Sequence, residues 1–221
     1  LIKKIHIGLN SSLIDSNKHI LNKGENHMPF LFSEAEYEDA IIELYQQMGY
    51  DYVYGPNVVR DYTDPLYQDV LTSSIENINR DLPSAAVQEA LRKMQNMENG
   101  TVVRKNTVFM DYLQNGVPVR YFHNGEERSA IVKLIDYENV NSNNFVVANQ
   151  WTIEEGKDEK RPDVIVFING IPIVVIELKS PTRDVVGWRD AYNQIRNYLD
   201  KIPSLFTYNA FCIVSDQTTT K

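Results

Sequence analysis

Three side chains around one apolar hairpin have the types and spacing for metal-assisted hydrolysis. They are Asp163, Glu177 and Lys179, in the stretch RPDVIVFINGIPIVVIELKSP that starts at Arg161. Glu177 and Lys179 are two apart in an expected strand, so their side chains leave one face about 6–7 Å apart. Neither serves packing at the end of IPIVVI; a carboxylate and an ammonium there need water, each other, a metal or a ligand. Asp163 opens the preceding strand and can return to the same end of the hairpin. If the three converge, two carboxylates, the Leu178 carbonyl, phosphate oxygens and waters give an oxygen shell suited to Mg²⁺ or Mn²⁺. Such a cation would polarise a phosphodiester and acidify a bound water. Lys179 would orient or deprotonate the attacking water and offset charge on the pentacovalent phosphate. The competing reading is an ordinary salt-bridged hairpin end, and residue types alone do not separate the two.

Register decides whether they converge. Asn169-Gly170 is a strong two-residue turn signal. Counting across it pairs 168 with 171 and 163 with 176, which leaves Asp163 on the wrong face relative to Glu177. One β-bulge repairs this, and Pro172 argues for an edge strand or a bulge. Convergence of the three therefore requires one irregularity between 163–168 and 171–179, expected near Pro172, which the sequence itself does not show.

The elements that must position these residues are partly legible. Ser33 with Glu36 three residues on is a capping box, and Phe32 can staple against Tyr37. Tyr37, Ala40, Ile41, Leu44, Tyr45 and Met48 give the apolar stripe of a helix ending at Gly49. Residues 50–60 predict a short strand, Pro65–Asn79 and Ser84–Asn96 two helices, and Asn106–Leu113 a helix or a strand. VPVRYF, AIVKLIDY and FVVANQW read as strands broken by Asn124-Gly125 and the Asn-rich turn at 141–144. Trp188, Ala191, Ile195, Tyr198, Leu199 and Ile202 mark a helix stopped before Pro203, and Ala210–Val214 a strand that could be central. The expected class is α/β with α+β character, a mixed β-sheet flanked by helices, with a helical insertion at about 65–100. Residues 1–31 show no sustained period and read as an appendage.

Composition excludes several classes. The 221 residues include 43% hydrophobic ones, enough for a core and against wholesale disorder. The single cysteine, Cys212, rules out an intramolecular disulfide and reads as a buried, reduced residue of a cytoplasmic protein. No run reaches the length of a membrane span, and no secretory signal is evident. The net charge of −8 is concentrated in residues 1–100, while 101–221 are near neutral, so long-range steering of a polyanion would be weak. His6, His19, His27 and His123 lack zinc spacing. Leu1 in place of Met and the terminal TTTK suggest a piece of a longer chain.

RPDVIVFINGIPIVVIELKSP resembles the Pro-Asp…(Asp/Glu)-x-Lys nuclease core. With the following WRDAYNQIRNYL, the FCIVSD strand and the SEAEYEDAIIELYQQMGY start, it resembles the N-terminal nuclease domain of the restriction (R) subunit of type I restriction–modification enzymes. Gln194 and Tyr198 form the Gln-x-x-x-Tyr pattern of the RecB-like branch. The resemblance covers about Phe32 to Lys221 and implies a restriction-endonuclease-like core in a Mg²⁺-dependent double-stranded DNA endonuclease. Asp163, Glu177 and Lys179 would be catalytic, with the cation on Asp163, Glu177, the Leu178 carbonyl and a first-helix glutamate. Glu38 is the preferred candidate for that glutamate, with Glu34 or solvent exposure of both as the alternatives, Glu36 serving the cap and Glu43 facing away. Gln194, Tyr198 and Arg183 would support the site or meet the DNA backbone; a core-capping Tyr, a surface Gln and a solvated loop Arg are the competing readings. Arg161, Arg189 and Arg196 are further basic neighbours, and Trp188 is expected as a core anchor. The partners implied are DNA and the methyltransferase (M) and specificity (S) subunits. ATP would be used only by the full-length subunit, because no G-x-x-x-x-G-K-[ST] loop occurs in these residues. The chain would then stop before the translocase domains. A catalytically silent docking module of the same fold and a solitary structure-specific nuclease are the rival functions.

Overall fold

The computed structural model describes residues 33–180, 187–216 and 219–221. A five-stranded mixed sheet organises them, in the order β1-β4-β7-β8-β9. Its strands are β1 (Asp51–Tyr54), β4 (Phe145–Asn149), β7 (Val164–Ile168), β8 (Ile171–Leu178) and β9 (Phe211–Ser215). β4, β7 and β8 run antiparallel in succession, while β1 joins β4 and β9 joins β8 in parallel. β9 is the last of the five strands; Phe211 and Cys212 are half-buried, and on its outer side Val214 and Lys221 exchange backbone hydrogen bonds at 3.0 and 2.9 Å. β7 and β8 are buried on both faces along their whole length, which explains why they read as unbroken apolar runs rather than alternating ones.

The β7–β8 pairing contains one irregularity. Val164 pairs with Ile176 and Val166 with Val174, but Phe167 pairs with Pro172, so Ile173 is the extra residue. The Ile173 carbonyl is occupied by the Ala210 N–H at 2.9 Å and the Asn209 amide at 3.1 Å. The bulge therefore costs no buried acceptor. The turn has Asn169 and Gly170 at φ 53° and 78°, and the Asn169 amide bonds Leu134 O and Asn143 Oδ1.

Helices cover the sheet. α1 (Glu34–Gln47) starts with the expected capping box: the Ser33 N–H donates to Glu36 Oε2 at 2.8 Å, and Ser33 Oγ accepts the Glu36 N–H. Its Tyr37, Ile41, Ile42, Leu44 and Tyr45 are buried. α2 (Gln68–Ile78) and α3 (Ser84–Gln95) are the two helices expected in that stretch, and α4 (Val102–Asn115) resolves the ambiguous 106–113 segment as helix. Thr101 caps α4 and Gly116 ends it at φ 79°. The hairpin β2 (Val117–His123) and β3 (Glu126–Val132) packs on α3, and a small hairpin joins β5 (Ile153–Glu155) to β6 (Asp158–Lys160). The AIVKLIDY strand ends at Val132; Leu134 and Ile135 are buried outside any strand.

α5 (Trp188–Lys201) buries Ala191, Ile195 and Tyr198, and a short α6 (Pro203–Thr207) follows because proline is tolerated in a first turn. Leu199 is exposed, contrary to its place in the apolar pattern. Phe32, Arg183 and the appendage at 1–31 lie outside the described residues. Among the described residues no helix is long and apolar enough to cross a membrane.

Candidate active site

The bulge brings the carboxylates together. Continuing the Val164–Ile176 pairing puts Asp163 directly opposite Glu177, on one face. Asp163 follows the buried Pro162, and its Oδ2 accepts the Leu178 N–H at 2.7 Å across the strand pair. Glu177 is 2% exposed. Its Oε1 accepts from Lys179 Nζ at 3.0 Å, while Oε2 is buried without a hydrogen-bond partner. Lys179 Nζ also donates to Leu178 O at 2.9 Å and to Glu34 Oε1 at 3.2 Å. The carbonyl expected to face a cation is therefore bonded to the lysine.

Electrostatics at this end of the sheet are strained. Burial pushes the Asp163 carboxyl up to about 6, against the Leu178 N–H and Lys179, with Glu34 and Glu38 adding to the rise. Burial and then the Asp163 charge push Glu177 up to about 7, against Lys179. Burial acts to lower the Lys179 pKa, but Glu177, Asp163 and Glu34 outweigh it and hold the ammonium above its ordinary value. One cation thus faces several carboxylates in a desolvated space.

α1 contributes both glutamates considered. Glu34 reaches Lys179, whereas Glu38 accepts the Asn149 amide at 2.6 Å and the Gln150 amide at 3.4 Å. Glu36 serves the cap, and Glu43 is exposed. On α5, Tyr198 is buried beside Glu177 and Gln194; burial and the Glu177 charge raise its hydroxyl well above the usual range. That hydroxyl donates to Arg161 O at 3.4 Å. The side chains of Arg161, Arg189 and Arg196 are exposed, and the Arg189 guanidinium lies 5.5 Å from the ring centroid of the half-buried Trp188. Sequence reasoning missed Asn149 and Gln150. Two amides closing the apolar run FVVA, just before a tryptophan, were the available signal.

Among the described residues no three His, Cys, Asp or Glu side chains converge as a ready metal cage. The donor chemistry nonetheless fits a hard divalent cation: the oxygen ligands are carboxylates, one buried oxygen of Glu177 has no partner, and burial raises the cost of ionising both carboxyls, a cost a bound cation would offset.

The sequence profile of the family described as "Type I restriction enzyme R protein N terminus" matches residues 31–221. The chain belongs to this family. It is 34% identical over 195 residues to the type I restriction enzyme HindI endonuclease subunit of Haemophilus influenzae, covering 84% of this chain and 18% of that one. It is 27% identical over 207 residues to the type I restriction enzyme EcoprrI endonuclease subunit of Escherichia coli, covering 82% of this chain and 59% of that one. This R-protein N terminus therefore spans about a fifth of the Haemophilus relative. Its mixed sheet with flanking helices is the restriction-endonuclease-like core expected for the family.

Proposed function

We propose that this chain is the nuclease domain of a type I restriction enzyme R subunit, cutting double-stranded DNA with Mg²⁺ and without reading sequence. The observation that carries this reading is the bulge-set pairing of Asp163 with Glu177, with Lys179 Nζ 3.0 Å from Glu177. Asp163 and Glu177 would hold the cation, with the Leu178 carbonyl and Glu38 as further oxygen donors. Bound there, Mg²⁺ or Mn²⁺ supplies Lewis acidity toward the phosphodiester and the attacking water. Lys179 orients that water and balances charge building on phosphate oxygens. Tyr198 and Gln194 hold the α5 side of the cleft, and Arg183 meets a phosphate. Burial of the carboxylates excludes bulk water and strengthens each of these interactions.

The wider assignment rests on the family. Residues 32–221 form the nuclease domain with the insertion at about 65–100, and residues 1–31 an appendage. ATP serves the full-length subunit, M and S subunits are its partners, and the setting is cytoplasmic. The test has two arms. Crystals soaked in Mn²⁺ should show anomalous density between Asp163 and Glu177. In the assembled enzyme, Asp163→Ala should abolish plasmid cleavage while ATP-driven translocation continues. Near-normal cutting by that variant would refute the reading, and a cation site without cutting by the intact enzyme would favour a silent docking module.

A further inference from the structure

The β2–β3 hairpin has a buried inner face and an open outer one. Val117, Val119 and Val132 join the core, whereas Pro118, Arg120, Phe122, Ser129 and Ile131 alternate to the other side and are exposed. A strand face that meets only water ordinarily carries polar residues. Here Phe122 is 71% and Ile131 63% exposed. Pro118 pairs with Ile131 and Arg120 with Ser129, so the aliphatic stem of Arg120 joins the apolar groups into one strip along a ribbon about 23 Å long. A contiguous apolar strip of this kind marks a contact surface.

The strip is shaped and held. Ile131 stands between two concavities. Toward α3 lies a groove of about 610 Å³, with Arg92, Lys93 and Arg120 on its walls. Toward the end of α4 lies a second of about 330 Å³, bounded by Leu113, Leu134 and the exposed Tyr137. Asn79, at the end of α2, donates to Lys133 O and accepts the Lys133 N–H, each at 2.9 Å, which fixes the base of the hairpin to the insertion. The groove also carries positive charge in a chain of net charge −8. Arg92 is paired with Glu89, but Lys93 is bonded to Pro118 O at 2.8 Å, and Arg120 has no carboxylate partner among the described residues.

We propose that this face is where the remainder of a type I R subunit packs on its N-terminal domain, seating apolar side chains over Ile131 and carboxylates against Arg120 and Lys93. The inference rests on family membership and not on the cleavage chemistry. The matched region is 18% of the Haemophilus subunit, so in such a protein most of the chain lies outside this domain and is tethered to it. Tethering raises the effective concentration of the partner. Interfaces between domains of one chain are also smaller and more polar than obligate ones, which suits a strip that mixes Phe122, Pro118 and Ile131 with two cations. Duplex DNA fits the face less well. Phosphates gain nothing from the apolar side chains, and two unpaired cations neutralise little of a duplex.

Hydroxyl-radical footprinting read by mass spectrometry tests this on unmodified side chains. Phe122 should oxidise at least about fivefold more slowly in the full-length R subunit than in this chain alone, as burial within an interface requires, and Ile131 should follow it. In the full-length subunit, Arg120→Glu and Ile131→Glu should each restore most of the oxidation at Phe122. Both side chains point away from the core, and the fully buried Phe109 should stay unoxidised while the domain is folded. Asp163→Ala should leave the protection unchanged, which separates this inference from the cleavage reading. Equal oxidation of Phe122 in the two wild-type proteins would overturn it, and that comparison decides even where a variant misfolds. Protection that appears only on adding M and S subunits, or only with duplex DNA and Ca²⁺, would overturn it as well, as would protection that survives both glutamate variants.

Discussion

Without a divalent cation, Glu177→Gln should stabilise this protein at alkaline pH. An unfolded Glu177 releases its proton near its ordinary 4.5, whereas the folded group holds it to about 7. Between those values the folded state carries a proton that the unfolded state has lost. Stability therefore falls as pH rises through this window and stays low above it. At about 1.4 kcal/mol per tenfold change in acidity, the ionised carboxylate costs the fold about 3 kcal/mol, an upper figure because Asp163 titrates with it. For a chain of this size that is roughly 5–10 °C in melting temperature. Thermal melts in EDTA from pH 5 to 8.5 should show the wild type losing stability relative to Glu177→Gln, with the variant the more stable at pH 8. Added Mn²⁺ should raise the wild-type melting temperature and leave the variant nearly unmoved. The reasoning fails if the difference between the two proteins is flat across pH, or if the variant melts lower at pH 8. Either result would mean that Lys179 and Tyr198 already compensate the buried charge.

Two further outcomes follow from charge and packing. At a net charge of −8 the chain lacks the cationic surplus that supplies non-specific DNA affinity, so with Ca²⁺ replacing Mg²⁺ it should bind duplex DNA at least about tenfold more weakly than the full-length subunit at equal salt; equal affinities would show that delivery by the rest of the subunit adds nothing. Gly170→Ala should destabilise the fold by more than about 1 kcal/mol, because φ is 78° and the new Cβ would lie 2.6 Å from Tyr67 O; an unchanged urea midpoint would contradict that.

What could be read from the sequence follows from how local each feature is. The α1 cap, the Asn169-Gly170 turn and the helices α2, α3 and α5 are set by neighbours in sequence, and they form where expected, with Leu199 of α5 the one stripe residue left exposed. The bulge was required by chemistry rather than seen in propensity. Counting residues showed that Asp163 and Glu177 could share a face only with one extra residue, and that residue is Ile173. The place of β9 in the sheet was not legible, since an apolar run reports burial and says nothing of which strand lies beside it. Nor was the choice between Glu34 and Glu38. One meets Lys179 and the other Asn149, and both contacts depend on where α1 crosses the sheet.

That crossing explains how the site is held. Asn149 at the end of β4 grips Glu38, and Lys179 just beyond β8 grips Glu34. On the far side Ser215 of β9 meets the Tyr37 hydroxyl at 2.8 Å, and Ser215 also bonds Thr220. The first turns of α1 are therefore tied to strands on both sides of the β7–β8 pair that carries Asp163 and Glu177. The opposite end of that pair is clasped by the helical insertion, where Tyr67 N–H donates to Gly170 O at 2.8 Å. From Ile171 to Glu177 the chain advances about 20 Å, so the insertion cannot touch the carboxylates. Substitutions in α2 and α3 should thus act through stability, while those at the α1 crossing act on how the carboxylates face one another. The strained charges lie at the end where α1, β4 and β9 are cross-linked by side chains, and that cross-linking, with α5 packed on the other face through Tyr198, holds the two desolvated carboxylates in register.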